Sequence, residues 1–551
     1  MSDRGLVVRA LAGAVVIGLL VALLGAAVWL AVSRDGAGGG SSPSSGPATA
    51  ATPTAGSSGG ASSSSATPTG SPTGSAGPSG SASATPGISF PASAPPLAPP
   101  TSLGRTTVAS APVSPFAECG LGGQGRLFEN SEAEPQVAVD PRTGTVVATW
   151  QQDRWSNGAA RGLVVAASTD GGATWRRSTP AFSACAAPDA GLPVRVSDPW
   201  VSFGPDGTGY LTGLSVTGPD VTWVTASRSA DGGRTWSTPV AIVRSETRRE
   251  FNDKESVTAD PTRAGAAYVV WDRGGGGESE SGEAPGGAGE VLLSTTTDGG
   301  QSWSEARPIA SVDGTPVGNV VAVTPDGTLV DAFVAVPADR HRPSRILTIR
   351  SIDAGATWSA PVEVASFASD AVLGAQPPGI RGGGGLPSIA ADPGSGVLHL
   401  AWTDGRNAEG RVALATSSDG GASWSTPASL PRPSDTPVFL PAIAIAPGGA
   451  IGIEYGDLRA ATAGRPFLMD RFLSVSTDGG ATWRERRLTR TFDLSTAPDA
   501  GGRFVGDYSG LTATSDGFVS AFAVTTGSPT NPTDLVVRVD PLADPAAVPA
   551  G

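Results

Sequence analysis

The sequence predicts an all-β chain folded as a β-propeller, behind an N-terminal apolar segment and a low-complexity linker. Three observations predict this. One eight-residue pattern ending in tryptophan recurs six times. A strand–turn–strand unit precedes each copy. The remainder is rich in Gly, Pro, Val, Thr and Trp and lacks long helical periodicity.

In chain order, residues 1–10 carry Arg4 and Arg9 and form a short cytoplasmic stub. Leu11–Val32 follows as 22 residues without a charge, and a helix needs about 20 to cross a bilayer. Arginines in front of such a span keep the N-terminus in the cytoplasm and send the rest outside. The competing reading is a cleaved signal peptide, whose apolar stretch is normally shorter and ends at a small-x-small site that does not stand out here. A single-pass cell-membrane protein is therefore expected, or a secreted one if the segment is cleaved. Residues 33–103 are almost wholly Ser, Gly, Pro, Thr and Ala, with Phe90 their one aromatic. Such a stretch buries too little apolar surface to offset its chain entropy, so it reads as a disordered tether. That leaves 104–545 for the propeller.

Composition narrows the function. The net charge is −13, from 37 basic and 50 acidic residues, which argues against nucleic acid as a partner. Lys254 is the single lysine. His341 and His399 stand alone, and no Cys/His spacing suits a metal, so no metal site and no cofactor is expected. Cys119 and Cys185 suit a disulfide in an oxidising compartment, with two unpaired thiols as the alternative. A monomer is expected.

The repeat reads Ser168–Trp175, Ser229–Trp236, Thr296–Trp303, Ser351–Trp358, Ser417–Trp424 and Ser476–Trp483, with 55 to 67 residues between successive tryptophans. That period suits four short strands per repeat. Asp170, Asp231, Asp298, Asp353, Asp419 and Asp478 are expected to hydrogen-bond the backbone of a tight turn, and the glycines to supply positive φ. Each tryptophan is expected to pack between strands of its own blade. The strand–turn–strand unit occurs seven times, the last ending in Asp534–Val539 with no repeat behind it. A strand from Gly104–Ser110 is the candidate to complete that blade and close the ring. Seven blades follow from this count, with six as the alternative.

Propeller topology puts the repeats and the "DPxxG" turns on one face and two other residue sets on the opposite face. Just before the first strands lie Glu134, Asp198, Asp253, Glu255, Asp507 and Tyr508. After the second strands an aromatic–Asp–Arg pattern recurs: Trp150, Asp153 and Arg154; Trp271, Asp272 and Arg273; Trp402, Asp404 and Arg406; Tyr455, Asp457 and Arg459, with Glu454 beside the last. Carboxylates and guanidiniums converging on one mouth make it the candidate site. The repeated Asp–Arg sets equally suit bridges between neighbouring blades. The unrepeated Glu134, Lys254, Glu255, Glu454 and Tyr508 point more directly to function.

The eight-residue pattern is the Asp box of bacterial neuraminidase repeats, and the chain resembles sialidase-like (BNR) propellers over about three quarters of its length. The resemblance implies a propeller fold, a tyrosine nucleophile with a carboxylate partner, and arginines that grip the sugar's carboxylate. Asp507–Leu511 resembles the segment holding that nucleophile, which implies Tyr508. Arg154 matches a substrate-side arginine, and Arg273, Arg406 and Arg459 match by position. Sialidases carry Arg-Ile-Pro before the first blade's inner strand, where this chain has Ala133-Glu134-Pro135. A glutamate there repels a sialic acid carboxylate, so the chain resembles a secreted bacterial branch without that motif.

Three functions follow, in order of expectation. The first is a propeller that binds a cell-surface or cell-wall glycan or protein at the mouth, with Trp155, Trp200 and Trp223 as sugar platforms. The second is a glycoside hydrolase pairing Glu134 with Asp153, or Glu454 with Tyr508, as acid and base. The third is a scaffold for envelope assembly.

Overall fold

A computed structural model describes residues 90–542, apart from 219, 248–249, 275–287, 340, 369–371, 374–378 and 406–409. The expected membrane span at 11–32 and most of the linker lie outside the described residues. No helix among the described residues is long and apolar enough to cross a membrane.

The described chain is all-β, with only three-residue 3-10 turns for helix. Val, Ile, Thr and Trp stretches alternating with Gly- and Asp-bearing turns give short antiparallel strands, and these assemble in sets of four. The inner strands of the sets are Leu127–Val139, Arg195–Phe203, Phe251–Ala259, Thr315–Val323, Ser388–Ala391, Val438–Ile445 and Gly510–Ala513. Each packs on the next, and the last packs back on the first, so the inner strands form a closed cycle around an axis. That arrangement defines a β-propeller.

Closure uses both ends of the domain. Arg105–Val108 pairs antiparallel with Asn531–Pro541, Arg105 opposite Val539 and Val108 opposite Val536, completing the last sheet. This is the pairing the sequence suggested for Gly104–Ser110. Residues 90–103, assigned from composition to the disordered tether, are docked instead. Phe90 packs against a buried cluster that includes Leu440, Leu458 and Met469, the Thr101 amide donates to the Arg487 carbonyl at 2.9 Å, and the Ala463 amide donates to the Pro91 carbonyl at 2.9 Å. One aromatic anchor and a few backbone bonds are enough to order a stretch whose average composition is that of a linker.

The Asp boxes behave as local turns. In the first, Asp170 accepts from the Thr174 amide at 2.9 Å and the Thr174 hydroxyl at 2.6 Å, while the Ser168 hydroxyl accepts from the Gly172 amide at 2.8 Å. The boxes share a face with the "DPxxG" turns, as the Gly299 amide bonded to the Gly265 carbonyl at 2.9 Å illustrates. Their tryptophans differ from expectation by packing between adjacent sheets. Trp303 meets Tyr210 of the preceding sheet edge-on at 6.3 Å, and Trp424 Nε1 donates to Thr348 of the preceding sheet at 3.0 Å. The ring stands at a sheet edge, where the apolar surface still open belongs to the neighbour. Trp150, Trp271, Trp402 and Tyr455 are fully buried and likewise pack on the preceding sheet.

Candidate functional site

Five inner strands break register, and three of these bulges place a charged side chain near the axis. Those three fall between Ala133 and Gln136, Ser197 and Trp200, and Asp253 and Ser256. At each bulge one residue is left-handed: Glu134 at φ 51°, Asp198 at φ 50° and Lys254 at φ 50°. Side chains other than glycine adopt this conformation at a cost of roughly 1–2 kcal/mol, so the surroundings must hold it. These residues lie inside the inner strands; the sequence reading had put them just ahead.

What holds them is one another. Lys254 Nζ lies 3.0 Å from Glu134 Oε1, 2.8 Å from Asp198 Oδ1 and 2.8 Å from Asp507 Oδ2. One ammonium thus ties carboxylates from three other sheets across the axis. Glu134 also takes a donor from Gln151 and lies 3.9 Å from Arg154. Asp507 is gripped by both arms of Arg381. Arg154 and Arg381 lie over the Phe504 ring at 4.7 and 4.6 Å. Beneath the cluster an axial cavity of about 220 Å³ includes Gln136, Trp200, Asp507, Tyr508 and Ser509 in its lining.

Burial sets the charge state. It pushes the Glu134 carboxyl up to about 8, helped by the Asp198 charge and opposed by Lys254. Glu255 is driven well above the usual range by burial and by Asp198, and neither of its carboxyl oxygens has a partner. For Asp507 burial acts upward, but Lys254 and Arg381 outweigh it and hold the carboxyl well below the usual range. The Tyr508 phenol is raised, first by burial and then by Glu134 and Asp198, so it stays protonated.

The other expected site residues divide sharply. Asp272 accepts from the Gly318 amide of the next inner strand at 3.1 Å, and the Asp253 and Lys254 charges act on it. Asp153 serves the fold: it accepts from Ser114 at 2.8 Å and Asn130 at 2.7 Å and pairs with Arg161 at 3.4 Å. Asp457 and Arg459 form a network with Glu485 of the same sheet and Arg432 of the segment leading into it. Glu454 is sealed against Arg471 and accepts from Ser509 at 3.0 Å. Arg273 donates to Asn252 at 3.3 Å, Asp404 is buried in its sheet, and Arg406 lies outside the described residues. Of the three platform tryptophans, Trp155 and Trp223 are covered by Arg195 and Arg244, each at 4.3 Å. Trp200 stays at the axis, 5.3 Å from the Tyr508 ring.

Sequence reasoning missed Arg381. It sits on a short hairpin ahead of Ser388–Ala391, the position from which other sheets send carboxylates, and "GIRGGGG" offered an arginine there. Cys119 and Cys185 are bonded to each other. Among the described residues no group of His, Cys, Asp and Glu is arranged to hold a metal ion.

Fold and site together define a β-propeller with a charge cluster at its axis. No family model matches the chain. Among solved structures it is similar to a protein of unknown function from Dyadobacter fermentans, at 14% identity over 76% of this chain and 97% of that one, TM-score 0.42. It is similar to the Penicillium chrysogenum alpha-L-arabinanase complexed with arabinobiose, at 16% identity over 74% and 92%, TM-score 0.39. It is also similar to the Trypanosoma rangeli sialidase, at 15% identity over 75% and 55%, TM-score 0.37. These are distant likenesses, and the fold rests on the chain's own sheet order.

Proposed function

We propose that this is a ligand-binding propeller, held outside the cytoplasm by its N-terminal segment, that takes a surface glycan or other envelope ligand at the axial mouth around Lys254. The seven inner strands are read as seven blades. One observation carries the binding reading: the groups that sialidase chemistry needs are bonded elsewhere. The Tyr508 hydroxyl donates to the Pro199 carbonyl at 3.1 Å, and Glu454 is locked to Arg471 rather than to Tyr508. A nucleophile needs a base as its hydrogen-bond partner, and the Tyr508 hydroxyl is bonded to a carbonyl instead. The arginines are also dispersed, with Arg459 and Arg273 bonded within their own sheets.

A glycosidase is the second reading, favoured by Glu134, a carboxyl at the mouth pushed up to about 8 as a general acid requires. The test is a panel of fluorogenic glycosides, including a sialoside, offered to the purified full chain alongside a glycan array. Array binding lost in Lys254→Met without turnover supports the proposal. Sialoside turnover that disappears in Tyr508→Phe overturns it.

A further inference from the structure

Six carboxyls gather at the mouth, and cations serve them unevenly. Glu134, Asp198 and Asp507 share the Lys254 ammonium, and Asp507 also has Arg381. Asp253, Glu255 and Asp272, all of the third sheet, form an ion pair with none of the described cations. Asp253 and Asp272 stand directly opposite each other on neighbouring strands, so their side chains leave the sheet on one face. Like charges so placed repel unless a cation lies with them. Asp253 is half-buried and accepts from the Lys254 amide at 3.1 Å. Asp272 is 3% exposed and accepts from the Gly318 amide at 3.1 Å. Neither bond brings a positive charge.

The bulges supply a second, independent observation. In the first, second and sixth inner strands the second bulge residue is proline: Pro135, Pro199 and Pro441. The third and fourth strands place Glu255 and Asn319 there instead. These side chains are 2% and 1% exposed, and the polar atoms of both lack a partner. A buried polar head without a partner costs free energy that a proline avoids. The two bulges are stitched together, since the Ser256 hydroxyl donates to the Asn319 carbonyl at 2.7 Å. The charges of Asp198 and Asp253 both act on Glu255, which sets its carboxyl beside the cluster.

Lys254 shows what such acids accept: one ammonium satisfies three carboxylates at 2.8 to 3.0 Å. An aromatic surface adjoins them. Trp200 and Tyr508 stand 5.3 Å apart and line the axial cavity, and Lys254 Nζ lies 5.9 Å from the Tyr508 ring. Trp200, Tyr508, Asp253 and Lys254 are each only half-buried, so this side of the mouth meets solvent. Aromatic faces suit the apolar side of a sugar ring, and a cation beside them gains further attraction.

We propose that the mouth selects a glycan bearing a free amino group, whose ammonium is received by Asp253 and Asp272 with Glu255 behind them. The proposal rests on the glycan reading above and narrows it to amino sugars that are not acetylated.

Titration calorimetry on the full chain tests it, with a glucosamine tetramer and the N-acetylated tetramer of the same linkage as probes. Salt at about 0.15 M screens general attraction to the acidic surface. The free amine is expected to bind at least about tenfold more tightly, as a charge-assisted bond requires. Asp253→Asn with Asp272→Asn should bring the two affinities within about twofold of each other. The same variant should keep its melting temperature, because it relieves a like-charge pair. Equal affinities in the wild type overturn the ammonium site and leave the glycan reading standing. A preference for the amine that survives in the double variant also overturns it, as does binding of neither tetramer. If the double variant does not fold, Asp253→Asn alone, at the half-buried position, must reduce the preference for the proposal to stand.

Discussion

The Cys119–Cys185 bond should be a principal stabilising link of the ring, and its contribution can be worked from its position. Cys119 follows the closing strand Arg105–Val108, and Cys185 lies between the outer strand Arg176–Ser178 and the next inner strand. Between them Phe116 is buried so closely over Gly162 that a Cβ there would meet its ring, and Arg161 donates to the Phe116 carbonyl at 3.3 Å. The bond therefore ties the segment that completes the last sheet to the first sheets of the ring. The two cysteines are 66 residues apart. Releasing a loop of that length raises the entropy of the unfolded chain by an amount worth about 4 kcal/mol at room temperature. The perturbation is Cys119→Ser with Cys185→Ser. Urea denaturation followed by tryptophan fluorescence should show a loss of about 4 kcal/mol in unfolding free energy. A loss under about 1 kcal/mol would refute the reasoning, as would finding both thiols free by titration of the native protein.

Further expectations follow from single contacts. Arg471→Met leaves the fully buried Glu454 without its cation and should cost about 3–5 kcal/mol by the same denaturation; Tyr508→Phe removes one bond to a carbonyl and should cost about 1 kcal/mol. Equal losses would show that Glu454 is not the buried partner described. Ala354 occupies, at φ 57°, a position where the other Asp boxes have glycine, so Ala354→Gly should stabilise by about 0.5–1 kcal/mol. An unchanged urea midpoint would mean the turn tolerates alanine without strain. Thermal midpoints against pH should fall at both ends. The Asp298, Asp353, Asp419 and Asp478 carboxyls are held down to about 2, first by the hydroxyl of the Thr or Ser four residues on. Their stabilisation is present above the ordinary Asp value near 3.8 and is lost as pH falls toward 2. Glu134 is shifted the other way, from 4.5 to about 8, so its contribution is present below 4.5 and declines as pH rises through 8. Glu134→Gln should remove the alkaline decline alone, and a profile unchanged by it would contradict the assignment.

Much of the fold was legible because its signals are local. Asp170 and Thr174, like their counterparts in the other boxes, are bonded across four residues, so the box appears in sequence as a fixed pattern. The unpaired last unit, ending at Asp534–Val539, and the short apolar stretch at Gly104–Ser110 were enough to suggest the closing strand. The site was legible only in part. The aromatic–Asp–Arg sets recur at one place in several sheets, and recurrence turned out to mark what the sheets share: Tyr455 packs on the preceding sheet, and Asp457 and Arg459 bond within their own. Residues that break the repeat divide as well: Glu134 and Lys254 meet at the axis, while Glu454 is sealed against Arg471.

Sequence by itself determined the all-β repeat, the turn chemistry, the closing strand and the residue types available at the mouth. Tertiary structure alone decided which of them meet. Lys254 bonds Asp198 across 56 residues of chain, Glu134 across 120 and Asp507 across 253, and Arg381 reaches Asp507 across 126. No local pattern records such pairings. They exist because ring closure brings the inner strands to one axis, where burial turns separate acids and bases into a single cluster.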